Sequence, residues 1–335
     1  MNIESLTSIA GDILADGKGI LAADESTASI EKKLAKISLP STEDSRRAYR
    51  EMFFTTPGIG NYISGVILYD ETFRQSASTG QKFTELLESE GVHPGIKVDE
   101  GTTEMEGSPS EKVTKGLEGL PPRLKEYFDM GAKFAKWRAV YTISDVLPSE
   151  ANIRENAKGL AGYAKACQEA GIVPIVEPEV LMDGSHSMAR CEEVSTKVLT
   201  AVFEELSNAG VALEGIILKP NMIVPGSENG SKATPEEIAD ATLRVFAATV
   251  PAEVPGIAFL SGGQSEADAT ANLNAMNAKS PHPWKLTFSY GRALQDSALM
   301  TWAGKPENVA AAQAAFLKRA KMNSLAAKGQ YTGEI

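Results

Sequence analysis

The feature that most constrains this chain is a set of eight short apolar segments spaced along most of its length. They read GILAAD (19–24), ISGVIL (63–68), PGIKVD (94–99), FAKWRAV (134–140), IVPIVEP (172–178), EGIILKP (214–220), GIAFLSG (256–262) and KLTFSYG (285–291). Each is rich in Ile, Val, Leu or Phe and bounded by Gly, Pro or polar residues, the pattern of a short strand. Their starts lie between 29 residues (256 to 285) and 44 residues (19 to 63) apart. Every gap is long enough for a crossover helix, which parallel strands require. Several gaps carry helical signals. Ser41-Thr42-Glu43-Asp44 opens a charged run, and Asn152 to Ala170 ends at Gly171, a C-terminal stop. Thr234-Pro235-Glu236-Glu237 combines a cap, a first-turn proline and first-turn acids. Glu266–Ala278 and Pro306–Met322 are Ala-rich helix candidates.

The length of 335 residues is worth about two average domains. Eight strand-then-helix units argue instead for the α/β class: a single (β/α)8 TIM barrel with N- and C-terminal helical extensions. One domain then spans 1–335, with a short tail from about residue 323. A doubly wound dinucleotide fold needs G-x-G-x-x-G after its first strand. Here GKGILAADEST places the glycines before the strand instead.

Composition narrows the function. Lys plus Arg is 33 against 44 Asp plus Glu, a net charge of −11, which disfavours nucleic acid and acidic membrane surfaces as partners. Cys167 and Cys191 are read as reduced thiols of a cytoplasmic protein. MNIESLTSIAGDILADGKG is acidic and amphipathic, unlike a secretory or transit segment. No apolar run approaches about 18 residues, so no membrane span is expected. His93, His186 and His282 are scattered and neither cysteine lies in a CxxC, so no metal site is expected.

In a barrel the site forms at the C-terminal strand ends. Those ends carry Asp24, then Lys97 with Asp99, Lys136 with Arg138, Glu177 with Glu179, and Lys219. Each alone can be an ion-paired strand end. Together, in strands that should be apolar, they point to one shared polar site. Residues i and i+2 face the same way, so Lys136 and Arg138 share a face, as do Glu177 and Glu179. If both pairs face inward, Lys219 neighbours Glu177. Lys219 follows an apolar run and precedes a proline. Desolvation and a nearby Lys136 would favour its neutral, nucleophilic form. The alternative is a lysine neutralised by Glu177 or Glu179. Asp24 is either a group that handles a substrate hydroxyl or an acid preceding the DESTAS helix.

The last two strands end in SGGQ (261–264) and SYGR (289–292). Barrels often bind phosphate there, through backbone N–H groups, hydroxyls and an arginine such as Arg292. A second anion end is suggested by Ser26, Ser29, Lys32 and Lys33, although the two lysines also fit a solvated helix face. The cations Lys32, Lys33, Lys97, Lys136, Arg138, Lys219 and Arg292 are expected to converge on one mouth and to give a local positive field within an acidic protein.

Taken in order, GILAADES, GVILYDET, GIKVD, FAKWR, GIVPIVEPE, LKPNM, FLSGGQSE and LTFSYGRALQ resemble class I, Schiff-base-forming fructose-1,6-bisphosphate aldolases, from Gly17 to Tyr331. The resemblance implies reversible cleavage of fructose 1,6-bisphosphate to dihydroxyacetone phosphate and glyceraldehyde 3-phosphate, without metal or other cofactor. It puts the Schiff base on Lys219, acid/base work on Glu177, and supporting roles on Glu179, Lys136 and Arg138. Asp24 would assist carbon–carbon cleavage, and Lys97 matches another active-site lysine. One phosphate falls on Ser261, Gly262, Gly263, Ser289, Gly291 and Arg292. The other end of the sugar falls near Ser26, Ser29, Lys32 and Lys33. The partners implied are small sugar bisphosphates and triose phosphates, and the family's frequent tetramers imply a homo-oligomer.

Two departures stand out. The family's usual Lys-Arg pair is Lys32-Lys33 here, and lysine lacks the planar fork. Familiar eukaryotic members continue past a QYT-like segment to a terminal tyrosine, whereas this sequence reads GQYTGEI, and Tyr331 is not expected to substitute. The rival readings are another Schiff-base sugar-phosphate enzyme, such as a transaldolase, and a catalytically silent sugar-phosphate-binding scaffold. Two separated phosphate ends favour a bisphosphate, and the set Asp24, Lys136, Glu177 and Lys219 argues against silence.

Overall fold

Each apolar run becomes a strand, because a run of β-branched and aliphatic residues can be buried on both faces of a parallel sheet. The computed structural model describes residues 2–333. Its strands are β1 (Gly19–Ala23), β2 (Ile63–Leu68), β3 (His93–Lys97), β4 (Thr102–Met105), β5 (Ser108–Thr114), β6 (Phe134–Tyr141), β7 (Val173–Val180), β8 (Ile217–Leu218), β9 (Gly256–Phe259) and β10 (Lys285–Tyr290). Eight of them close a barrel in the order β1-β10-β9-β8-β7-β6-β3-β2. All eight neighbouring pairs are parallel. This is the (β/α)8 architecture expected from the spacing. The antiparallel pair β4–β5 lies outside the barrel and is an addition to the sequence reading.

The helices follow their capping chemistry. Glu43–Phe54 starts at Thr42, whose Oγ1 accepts from Ser45 N at 3.1 Å while Ser45 Oγ accepts from Thr42 N at 2.8 Å. Pro235–Thr249 has the same reciprocal cap between Thr234 and Glu237. Glu150–Glu169 is followed by Gly171 at φ +79°, a backbone conformation that glycine adopts without strain. The final helix, Val309–Ala327, continues past residue 323, where the sequence places the start of a tail. It does so because Asn323, Ser324 and Ala326 are buried. Tyr331 beyond it packs on the core, and its backbone N–H donates to Asn274 Oδ1 at 2.8 Å.

Two apolar layers hold the barrel. The larger lies between the strands and the surrounding helices. The smaller fills the barrel's lower half, where Leu6, Ala10, Ile13 and Leu14 meet Ile20, Ile67, Phe134, Val173, Ile175 and Ile217. The N-terminal helix Ile3–Ile13 thus stoppers the barrel from beneath. Phe134 fits because its neighbours lack side chains: a Cβ on Gly95 would lie 2.2 Å from its ring, and one on Gly65 would lie 3.0 Å away. With the floor apolar, the polar residues of the same strands collect at the upper rim. We expect Gly95→Ala to lower stability by about 1–3 kcal/mol, the usual cost of overpacking. Urea unfolding checks this, and Gly95→Ala/Phe134→Leu should recover part of the loss.

Candidate active site

Side-chain alternation along the strands carries the apolar floor upward into charge. Phe134, Lys136 and Arg138 point inward from β6; Val173, Ile175, Glu177 and Glu179 do so from β7. Ile217 and Lys219 continue the pattern at β8, and Ile20, Ala22 and Asp24 at β1. The register sets Lys97 beside Lys136 and Arg138 beside Glu177. These side chains line one cleft of about 1000 Å³ at the strands' C-terminal ends.

A continuous chain of charges crosses its base. Lys136 Nζ lies 2.8 Å from Asp24 Oδ2 and 3.1 Å from Glu177 Oε2. Glu177 Oε1 in turn lies 3.1 Å from Lys219 Nζ. The Lys136–Glu177 contact is an ion pair without a hydrogen bond to Oε2. Lys136, Glu177 and Lys219 are each only 3% exposed, so their charges depend on one another rather than on water. Burial works against the charge on Asp24, yet Lys136, Lys219 and Lys97 outweigh it and hold the carboxyl well below the ordinary range. Burial likewise opposes the Lys136 ammonium, but Asp24, Glu177 and Asp99 keep its proton bound well above the ordinary range. Arg138 Nε donates to Glu179 Oε2 at 2.5 Å, and despite burial that carboxylate raises its affinity for its proton. Lys97 is tied to Asp99, with Nζ 2.5 Å from Oδ1.

Two loop groups on the cleft differ. In one, Ser261, Gly262, Ser289, Gly291 and Arg292 line the wall. Gly262 and Gly263 have φ of +54° and +85°, which turns the loop tightly at little cost for glycine. Gly263 borders this group, since a Cβ there would lie 3.5 Å from Arg292 Nη2. Ser289 Oγ is buried without a hydrogen-bond partner among the described residues. In the other, after β1, Ser26 Oγ donates to Ser29 Oγ at 3.1 Å. Ser26 caps the helix Thr27–Ala35, so Asp24 sits two residues before the cap and not in the first turn.

Lys33 and Lys32 part company. Lys33 is buried and lines the cleft, against the reading of a solvated face. Lys32 is exposed and lies outside the lining, which corrects its placement at the mouth. Helix phase is the reason: Ile30, Lys33 and Leu34 share the buried side, and Lys32 is turned away. The cleft is also less positive than the sequence suggests. Its lining holds eight cationic side chains (Lys33, Arg74, Lys97, Arg123, Lys136, Arg138, Lys219 and Arg292) against eight acidic ones. The lining also includes residues that the strand-end pattern does not mark, among them Glu25, Tyr69, Asp70, Arg74, Arg123 and Glu126. Glu25, in the DES segment beside Asp24, and Tyr69 with Asp70, in YDET after the second apolar run, had a signal; Arg74, Arg123 and Glu126 had none.

Among the described residues no group of three or more His, Cys, Asp or Glu is placed to hold a metal ion. Asp24's depressed pKa has a sign. Its contribution to stability is complete above its unfolded pKa of about 4 and is lost as pH falls through the lower folded value. Lys136→Met is expected to raise the Asp24 pKa and to move acid unfolding to higher pH. Carboxyl-carbon NMR of labelled aspartate checks this, and an unchanged Asp24 titration would contradict it.

Comparison with known proteins agrees with this geometry. A model of the family described as fructose-bisphosphate aldolase class-I matches residues 5–335. The chain is 56% identical over 319 residues to the protein named fructose-bisphosphate aldolase 4, cytosolic, of Arabidopsis thaliana, covering 95% of this chain and 81% of that one. It is 53% identical over 332 residues to fructose-bisphosphate aldolase 2 of Caenorhabditis elegans, covering 99% and 91%. A chloroplastic relative of Arabidopsis thaliana, fructose-bisphosphate aldolase 3, is 52% identical, covering 99% and 84%. The fold superposes with a TM-score of 0.97 on fructose-bisphosphate aldolase from Plasmodium falciparum, solved with TRAP and a small-molecule inhibitor, at 50% identity over 99% of this chain and 96% of that one. No helix among the described residues is long and apolar enough to cross a membrane. A whole-length family match, relatives above half identity and a barrel with charged strand ends converge: this chain belongs to the class-I fructose-bisphosphate aldolase family.

Proposed function

We propose that the chain cleaves fructose 1,6-bisphosphate through an imine on Lys219, and that the contiguous chain Asp24–Lys136–Glu177–Lys219 is the apparatus. That chain is the observation carrying the reading. The reaction is reversible, metal-independent and glycolytic in character. Its setting in the cytoplasm is our reading from the cytosolic relatives.

Lys219 must lose a proton before attacking the ketose C2 carbonyl. Glu177 Oε1, 3.1 Å away, is placed to take that proton. The attack gives a carbinolamine; Glu177 returns a proton to its hydroxyl, water leaves, and a protonated imine remains. The imine accepts the electron pair of the C3–C4 bond while a carboxylate takes the C4 hydroxyl proton. Asp24, held ionised by its lysine neighbours, is available as that acceptor. Glyceraldehyde 3-phosphate leaves. Protonation and hydrolysis of the enamine then release dihydroxyacetone phosphate and free Lys219.

Lys136 joins the two carboxylates, and Glu179 holds Arg138 over the cleft. With C2 bound at Lys219, just after β8, the C1 phosphate belongs at Ser261–Gly263 and Ser289–Arg292, at the ends of the next strands, β9 and β10. The C6 phosphate then falls to Ser26, Ser29 and Lys33, with Lys97 also lining the cleft. An electron sink bound covalently to lysine does the work of a Lewis acid, and the cleft's carboxylates are engaged by lysine and arginine side chains rather than arranged for a cation.

Borohydride reduction in the presence of dihydroxyacetone phosphate should attach one triose to Lys219, located by mass spectrometry of the digest. Attachment elsewhere, or none, would sink the mechanism. Activity should also survive dialysis against EDTA; loss of turnover that divalent metal restores would count against an imine-only route.

A further inference from the structure

The cations of the cleft are not equally available to a ligand. Arg292 has no ion-pair partner among the described residues, whereas each of the other seven lining cations is paired with a carboxylate. Lys33 is the most tightly held of those facing a proposed phosphate end. Its ammonium donates to Glu25 Oε1 at 2.5 Å and also to Gln295 Oε1. It lies 5.8 Å from the centre of the Tyr49 ring. A phosphate at Ser26 and Ser29 therefore has to compete with the Glu25 carboxylate for this cation.

Glu25 has a second cation in reserve. Its Oε2 is buried without a hydrogen-bond partner among the described residues and lies 3.7 Å from Arg50 Nη2. Arg50 is fully buried, yet its two hydrogen bonds among the described residues go to neutral acceptors: Nη2 to Glu25 O at 2.6 Å and Nη1 to Thr72 Oγ1 at 2.5 Å. The other carboxylate near it, Glu71, is 3.8 Å away and already takes two bonds from Arg46. Arg50 is thus a buried guanidinium one small movement short of a full ion pair with Glu25. A lysine leaving Glu25 does not strand the carboxylate, because Arg50 can close on Oε2. Without that reserve, releasing Lys33 would leave an unpaired buried charge, which is costly.

We propose that Glu25 is a specificity-determining residue. It latches Lys33 in the free cleft and, backed by Arg50, yields it only to a doubly charged phosphate at the Ser26–Ser29 end. The effect falls on the second phosphate of the substrate and not on the end facing Arg292. Glu25 sets how strongly the enzyme prefers a ketose bisphosphate over a ketose monophosphate. The inference rests on the reading that Ser26, Ser29 and Lys33 receive the C6 phosphate.

The test is the ratio of KM for fructose 1-phosphate to KM for fructose 1,6-bisphosphate. Glu25→Gln keeps the side chain's shape and an acceptor oxygen but removes the competing charge. It is expected to raise the ratio about 10-fold, the scale of one hydrogen bond to a charged group. Glu25→Asp keeps the charge near Arg50 while withdrawing it from Lys33, and should move the ratio the same way by less. That variant decides the matter if Glu25→Gln fails to fold, as judged by near-ultraviolet circular dichroism. Lys33→Met should lower the ratio. If Lys33→Met lowers it while the folded Glu25 variants leave it unchanged or lower, the latch is overturned and the phosphate end stands. If Lys33→Met leaves the ratio unchanged, the phosphate reading of this end fails and the latch fails with it.

Discussion

The ion-pair chain from Asp24 through Lys136 and Glu177 to Lys219 is the constraint on which the upper half of the barrel depends. Charges this deeply buried are expensive singly and tolerable only when each is neutralised by the next. The four residues sit at or beside β1, β6, β7 and β8, so the chain exists only if the barrel closes in the observed register. Beneath it, the apolar layer around Phe134 and the N-terminal helix keeps water from reaching these charges from below. Fold and chemistry are therefore coupled. The floor makes the charges costly, and the strand register makes them affordable.

The eight barrel strands were legible because each is buried on both faces and therefore written in apolar residues. β8 is the least regular, with only Ile217 and Leu218 in ladder form, yet its apolar run is as clear as the others. The β4–β5 hairpin was not legible. TTEM is mostly solvent-exposed and SPSEKVT buries only Glu111 and Thr114, so burial imposes little alternation, and only Gly107 at φ +78° marks the turn. Its attachments were equally hidden. Glu111, fully buried on β5, accepts from the backbone and hydroxyl of Ser149, 38 residues away.

Within the cleft, the placement of Lys136 with Arg138 and of Glu177 with Glu179 follows from strand alternation, which is local and therefore readable. The separation of Lys32 from Lys33 was also readable in principle. Ile30, Lys33 and Leu34 have the i, i+3, i+4 spacing of one helix face, and the adjacent lysine cannot share it. The partner of Lys33 was not. Gln295 is 262 residues away, and the pairing exists only because β10 closes on β1. The same limit explains the charge balance. A sequence shows seven cations that can converge, but not that carboxylates arrive opposite nearly all of them.

The stopper formed by Leu6, Ala10, Ile13 and Leu14 has a consequence for traffic. A barrel plugged at the bottom has one doorway, at the rim, and both trioses must use it. A fragment bound deep in the cleft cannot drain away while the other is leaving. Order of departure is then set by depth and by attachment, not by relative affinity alone. A covalent link at Lys219, near the floor, would make the deeper fragment the last to leave. With that link, the same architecture in the synthetic direction would load that fragment first and leave the doorway free for its aldehyde partner.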